Sequence, residues 1–166
     1  MATTWLPPAE FVATLPRATA YACFYFTDTH GRPLQLRATW QPDLWQWPGG
    51  NMDPGETPWE TAVRECREET GLIFEGPQRL LATHFISHRG EEWPANHIGF
   101  VFDGGELTDA QIAAVVLDPG EHTEYRLRTL AEWEREMNPR SFRRLVEVDQ
   151  ARRTGATIYL ESDEEH

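Results

Sequence analysis

One segment, residues 50–72, restricts the fold more than any other, because it specifies both ends of a helix and the loop before it. Thr57 is a good N-cap and Pro58 suits the first helical position; Glu60 completes a capping box with Thr57, and Gly71 stands where a C-terminal glycine ends a helix. These signals predict a helix over residues 58–70. Trp59, Ala62, Val63, Cys66 and Thr70 recur along it at helical spacing and form one stripe, so one face must be covered by a core. Pro48, Gly49 and Gly50 predict a loop ahead of it.

Around this segment, β and helical patterns alternate. Residues 18–27 are dense in aromatic and β-branched side chains, Asp28, Gly31 and Pro33 supply turn chemistry, and residues 34–40 alternate apolar with polar, which predicts a two-stranded hairpin. Trp45, Gln46 and Trp47 form a short third strand. Residues 78–85 and 97–102 predict two more strands, joined by a surface loop over 89–96. Thr108 with Gln111, and Thr129 with Glu132, mark the starts of short helices; residues 125–127 read as a strand, 139–153 as a helix stopped by Gly155, and 156–160 as a last strand. The expectation is one layered α/β domain with a mixed sheet over residues 1–160, followed by an acidic tail at 161–166 that frays into solvent.

Composition removes several function classes. The 166 residues suit a single domain with its own core. With 27 acids against 15 bases the formal net charge is -12, which disfavours a nucleic-acid polymer or an anionic membrane as partner. Every base is Arg; without any Lys there is no Schiff-base, pyridoxal or phosphate-loop lysine. No apolar run approaches the roughly eighteen residues of a membrane span. The proline-broken N-terminus, with Arg17 as its one base, does not read as a secretory signal. Cys23 and Cys66 lie in predicted core elements and read as buried thiols, so a soluble cytoplasmic protein is expected.

Glu65, Glu68 and Glu69 stand at i, i+3 and i+4 on the predicted helix, beside its core stripe. Unpaired, such like charges oppose folding by roughly a few tenths of a kcal/mol per pair. A hard divalent cation reverses the sign, since Mg²⁺ or Mn²⁺ takes oxygen ligands and shares them with phosphates. Arg64 is spaced to reach Glu68 or Glu56 and hold a carboxylate in place. An E-x-x-E-E run alone is an ordinary solvated face; the glycine loop ahead of this one sets it apart.

The whole run, from Gly50 through Glu56, Arg64, Glu65, Glu68, Glu69 and Gly71 to Leu72, resembles the Nudix box G-x5-E-x7-R-E-U-x-E-E-x-G-U, where U is apolar, at every fixed position. Seven required residues coincide by chance on the order of once in a billion windows. Cys66 at the first apolar position replaces the usual bulky aliphatic and acts as a small hydrophobe. The resemblance implies an α/β/α sandwich of Nudix type, with a catalytic loop and helix on a mixed sheet. It implies an Mg²⁺-dependent hydrolase, with Mn²⁺ as substitute, that cleaves the pyrophosphate bond of a small nucleoside diphosphate derivative and commonly forms homodimers. Carried over by position, Glu65 and Glu69 become the main metal ligands, Glu68 a further ligand or the base, Arg64 and Glu56 the orienting pair, and the Gly49 or Gly50 carbonyl an extra ligand.

The family often adds a carboxylate from a later loop or strand; here Glu124 is the first candidate and Glu121 the second. Trp45 and Trp47 offer faces on which a base could stack, while Trp59 reads as packing. His84, His88 and His97 read as structural, and Arg140, Arg143, Arg144, Arg152 and Arg153 as a solvated helix face. Subfamily markers are absent: Ser87 and His88 stand where ADP-sugar hydrolases carry Pro, and no Tyr occurs between Phe26 and Glu124. Two rival readings are a Nudix-fold binding or sensor module, which typically loses box carboxylates, and a same-fold isomerase, which leaves the mass of its product unchanged.

Overall fold

Strand β1 (Ala18–Asp28) organises the molecule, being buried without a break from Ala22 to Asp28. The computed structural model describes residues 5–87 and 93–163. After a short helix α1 (Pro8–Ala13) and β1 come β2 (Leu34–Ala38), β3 (Trp45–Gln46), β4 (Gly49–Asn51), α2 (Pro58–Thr70), β5 (Leu80–Ser87) and β6 (Asn96–Leu107). The chain continues through α3 (Asp109–Ala113), β7 (His122–Leu127), α4 (Leu130–Glu136), α5 (Pro139–Thr154) and β8 (Ile158–Asp163).

The strands form two sheets. A mixed five-stranded sheet has the order β4-β1-β6-β5-β8, with β1 parallel to β6 and β5 parallel to β8; a three-stranded antiparallel sheet has the order β3-β2-β7. Alternation along β1 sends Cys23 and Tyr25 to one core, with Trp47, Trp133, Leu145 and Val148. It sends Ala22, Phe24 and Phe26 to the other, with Ala62 and Cys66 of α2. Phe24 packs edge-on to Trp59 with ring centroids 5.4 Å apart. Burying each such large side chain stabilises the fold by roughly 1.5–3 kcal/mol. The result is the layered α/β arrangement expected, with α2 on one face of the mixed sheet and α5 on the other.

Three expectations about elements change. Residues 18–27 and 34–40 do not pair as a hairpin ladder; only an isolated bridge, Thr27 to Pro33, links them. Both edges of β1 are taken by β4 and β6, so the chain turns at Gly31 (φ 72°) and β2 starts the second sheet. Asp28 fixes that turn by accepting from the His30 and Arg32 amides at 3.0 and 2.8 Å. The predicted loop at Gly49 and Gly50 is strand β4, antiparallel to β1 with Cys23 opposite Gly49. Side chains are excluded at Gly49, where a Cβ would collide with the Ala22 carbonyl and Cys23. Finally, β8 carries three residues into the segment expected to fray, because Glu161, Ser162 and Asp163 pair with Phe85, Ile86 and Ser87.

Among the described residues no helix is long and apolar enough to cross a membrane. Cys23 and Cys66 are buried free thiols.

Candidate active site

Helix α2 is held at both ends as its sequence predicts. The Glu60 amide donates to Thr57 Oγ1 at 3.3 Å, Glu60 accepts from the Thr57 amide at 2.8 Å, and Gly71 closes the helix at φ 71°. Burial of Ala62 and Cys66 against β1 sets the rotation of the helix, so that Glu65 and Glu69 face β4 and the start of β7.

Arg64 is the hub of the exposed side. Its Nε and Nη2 donate to the two oxygens of Glu56 at 2.6 and 2.8 Å. Its Nη1 reaches Glu65 Oε1 at 2.8 Å and Glu68 Oε2 at 3.0 Å, and Nη2 also reaches the Asn51 carbonyl at 3.2 Å. With added donors from the Asp53 amide and the Thr61 hydroxyl, this Arg64 fork lowers the Glu56 carboxyl to about 2. One guanidinium thus ties the end of β4 to three acids of the segment.

Glu69 is buried, with 2% of its surface exposed. Its Oε2 accepts from the Gly49 amide at 2.7 Å and its Oε1 lies 2.9 Å from His122 Nε2, also buried. Burial raises the Glu69 carboxyl above the ordinary carboxylate value despite these two partners. Burial draws His122 down, but contact with Glu69 outweighs it and the imidazole stands above its usual value. Glu65 is raised as well, by burial first, with Glu121 and Glu68 adding to it against the pull of Arg64. A Cβ at Gly50 would lie 2.5 Å from Glu65 Oε1, so the glycine leaves room for that carboxylate.

These groups line a cavity of about 970 Å³ whose wall includes Tyr21, Trp47, Gly49, Glu65, Glu69 and Glu121. Ligand atoms of Glu69, Glu121 and His122 all lie within 4.8 Å of one another. Each Glu69 oxygen has one partner and keeps a lone pair, so the carboxylates and the glycine carbonyls suit a hard divalent cation, with His122 holding Glu69 in place and not itself a ligand. Glu68, with 58% of its side chain exposed, sits further out on Arg64.

Several candidates are placed differently from the expectation. Glu124 is not at the cavity: Arg37 Nη1 holds it at 2.7 Å, Arg126 Nε at 2.9 Å, and the two guanidiniums keep its carboxyl low despite partial burial. Glu121, the second choice, lines the cavity instead. Trp45 is packed against Trp133 at 5.0 Å and covered by Arg126. Trp47 does line the cavity, but it is 4% exposed and its ring is covered by Arg144, so neither Trp offers an open stacking face. Aromatic surface at the mouth comes from Trp40 and Trp93, which are 71% and 43% exposed. His84 and His97 contact Tyr21, while His88 lies outside the described residues. Arg152 and Arg153 pair with Asp103 and Asp149, and Arg143 with Glu147; Arg144 alone of the last helix's predicted solvent-facing arginines turns into the cavity wall. Sequence reasoning passed over His122, because a single His at a strand start carries no spacing signal.

Comparison with known proteins agrees with this architecture. The NUDIX domain model matches residues 16–147. The MutT protein from Methanosarcina mazei Go1 superposes with a TM-score of 0.66 at 25% identity, covering 84% of this chain and 96% of that one. Over 42 residues, 25% of this chain, the sequence is 43% identical to an asymmetrical bis(5'-nucleosyl)-tetraphosphatase of Caenorhabditis elegans. Over 81 residues, 39% of this chain, it is 40% identical to an RNA pyrophosphohydrolase of Rhizobium meliloti. The matched stretches span 30% and 46% of those two relatives, less than half of either. The profile match over most of the chain, on a fold that carries the complete box on α2, places this protein in the NUDIX family.

Proposed function

We propose that the protein is a divalent-metal-dependent pyrophosphohydrolase, using Mg²⁺ or Mn²⁺, that cleaves a phosphoric anhydride of a small nucleoside diphosphate or triphosphate compound. The observation that carries this reading is the convergence of Glu65, Glu69 and Glu121 on one cavity beside Gly49 and Gly50. The activities named for the two relatives, a bis(5'-nucleosyl)-tetraphosphatase and an RNA pyrophosphohydrolase, lend support to the pyrophosphohydrolase part of it.

In this reading Glu69, Glu65 and Glu121 would hold the cation, with Glu68 and a glycine carbonyl of β4 in reach. When bound, the cation supplies an activated water and neutralises charge on the phosphoryl oxygens. The chain's own part is positioning. The Gly49 amide and His122 fix the Glu69 rotamer, Arg64 steers Glu65 and Glu68, and Glu56 holds Arg64. Glu68, more exposed and held by Arg64, would be a further ligand or the base that takes a proton from water. The test is product release from a panel of nucleotide anhydrides with and without Mg²⁺ or Mn²⁺, read by mass. A cleaved product that requires metal supports hydrolysis, and an isomer of unchanged mass or mere binding replaces it.

A further inference from the structure

The cavity has two electrically different regions. Glu65, Glu69 and Glu121 form the acidic one. In the other, Arg144 of α5 lays its guanidinium over the Trp47 ring at 4.7 Å from the centroid. Its Nη1 makes a long hydrogen bond, 3.4 Å, to the Tyr21 hydroxyl, which lies 3.0 Å from His84 Nδ1. The hydroxyl thus bridges Arg144 and His84. Burial and the Arg144 charge pull the His84 imidazole down to about 3, so it stays neutral. None of these partners is an anion.

In this chain of 27 acids and 15 bases Arg37, Arg64, Arg126, Arg128 and Arg152 meet carboxylates, and Arg17, Arg67 and Arg135, which meet none among the described residues, are exposed to water, whereas Arg144 is partly buried. Among the described residues Arg144 makes no ion pair. Its Nε is buried without an acceptor, and so is the indole N–H of Trp47, the ring it covers. Each is a donor stripped of water with nothing in return. The space continues past this point: Arg144, Trp40, Leu44 and Ile86 also line an adjoining hollow of about 990 Å³ that reaches Arg140, and the two acids on its wall, Glu147 and Glu161, are engaged by Arg143 and the Tyr159 hydroxyl.

We propose that Arg144, set on Trp47 and Tyr21, is the specificity-determining residue of the cavity and receives a second anionic group, a phosphate or carboxylate, on the part of the substrate beyond the scissile diphosphate. The inference rests on the pyrophosphohydrolase reading and narrows its substrate class to diphosphate compounds with a separate acidic group. A neutral hydroxyl or base carbonyl leaves the guanidinium charge unpaired; a phosphate or carboxylate pairs it.

The test uses two matched pairs of diphosphate compounds, NAD and NADP for an added phosphate, UDP-glucose and UDP-glucuronate for an added carboxylate. Dissociation constants are measured by calorimetry on the full chain without metal, and initial rates separately with Mg²⁺. The acidic member of at least one pair is expected to bind about tenfold more tightly, and the responding pair identifies the anion. Arg144→Gln brings that ratio to near one, whereas Arg144→Lys, which keeps the charge, retains a preference. Ratios near one in the unaltered protein for both pairs, no measurable binding at millimolar ligand, or a preference that survives Arg144→Gln overturns the assignment. An Arg144-dependent preference in binding without any hydrolysis upholds it and refutes the hydrolase reading; hydrolysis indifferent to Arg144 does the reverse.

Discussion

Glu69 and His122 form a buried pair, with Oε1 2.9 Å from Nε2, that joins α2 to the start of β7. The carboxylate of the box is therefore held from a strand more than fifty residues further along the chain, and its geometry depends on the docking of the two sheets. His122→Ala leaves a buried acid with one partner fewer. We expect a loss of stability on the order of 1–3 kcal/mol by urea denaturation, together with weaker Mn²⁺ binding by calorimetry. A variant with unchanged stability and metal affinity would show that the contact is incidental.

The two acids at the start of β7 should separate cleanly. Glu121→Gln is expected to lower turnover by about 10–100-fold with little change in melting temperature. Glu124→Gln removes the partner of Arg37 and Arg126 and should lower stability while leaving turnover within about threefold. Melting curves and steady-state rates on both variants check this, and the opposite pattern would restore Glu124 to the site.

Arg64→Lys keeps the charge but cannot grip both oxygens of Glu56 while reaching Glu65 and Glu68. Turnover should fall by about 10–100-fold, with the variant still folded by circular dichroism. Unimpaired turnover would mean that the network does no positioning.

His84 gives a pH dependence with a definite sign. Its imidazole is pulled from 6.5 to about 3, so between those values the unfolded chain binds more protons than the folded one. Its burial costs no stability above pH 6.5, and stability is lost progressively as pH falls from there toward 3. A Tyr21 hydroxyl that donates to Nδ1 leaves the His84 proton on Nε2. Nitrogen chemical shifts of the imidazole at about pH 5 should report that neutral tautomer; a protonated His84 there would contradict the assigned network.

Much of the site was legible in one segment. The capping residues of α2 and the spacing of Glu56, Arg64, Glu65, Glu68 and Glu69 are local, so their mutual geometry follows from helical periodicity. What was not legible depends on pairing between distant segments. Glu124 lies opposite Arg37 in the β2–β7 ladder, and that register decides that Glu121 rather than Glu124 meets Glu69. The division of β1 and β2 between sheets depends on which strands claim the edges of β1. Trp47 reads as an open ring in sequence because nothing local announces that Arg144 of α5 will cover it.

If Glu69 belongs to a metal-dependent hydrolytic site rather than a binding pocket, cleavage must depend on both the metal and this carboxylate. The direct measurement is product release by the unaltered protein and by Glu69→Gln, with Mg²⁺ or Mn²⁺ and with chelator, across a panel of nucleoside diphosphate and triphosphate compounds. Cleavage is expected to require metal and to fall by more than about a hundredfold in the variant, which keeps its fold. Equal turnover by the two proteins, or no metal-dependent cleavage of any compound, would contradict it.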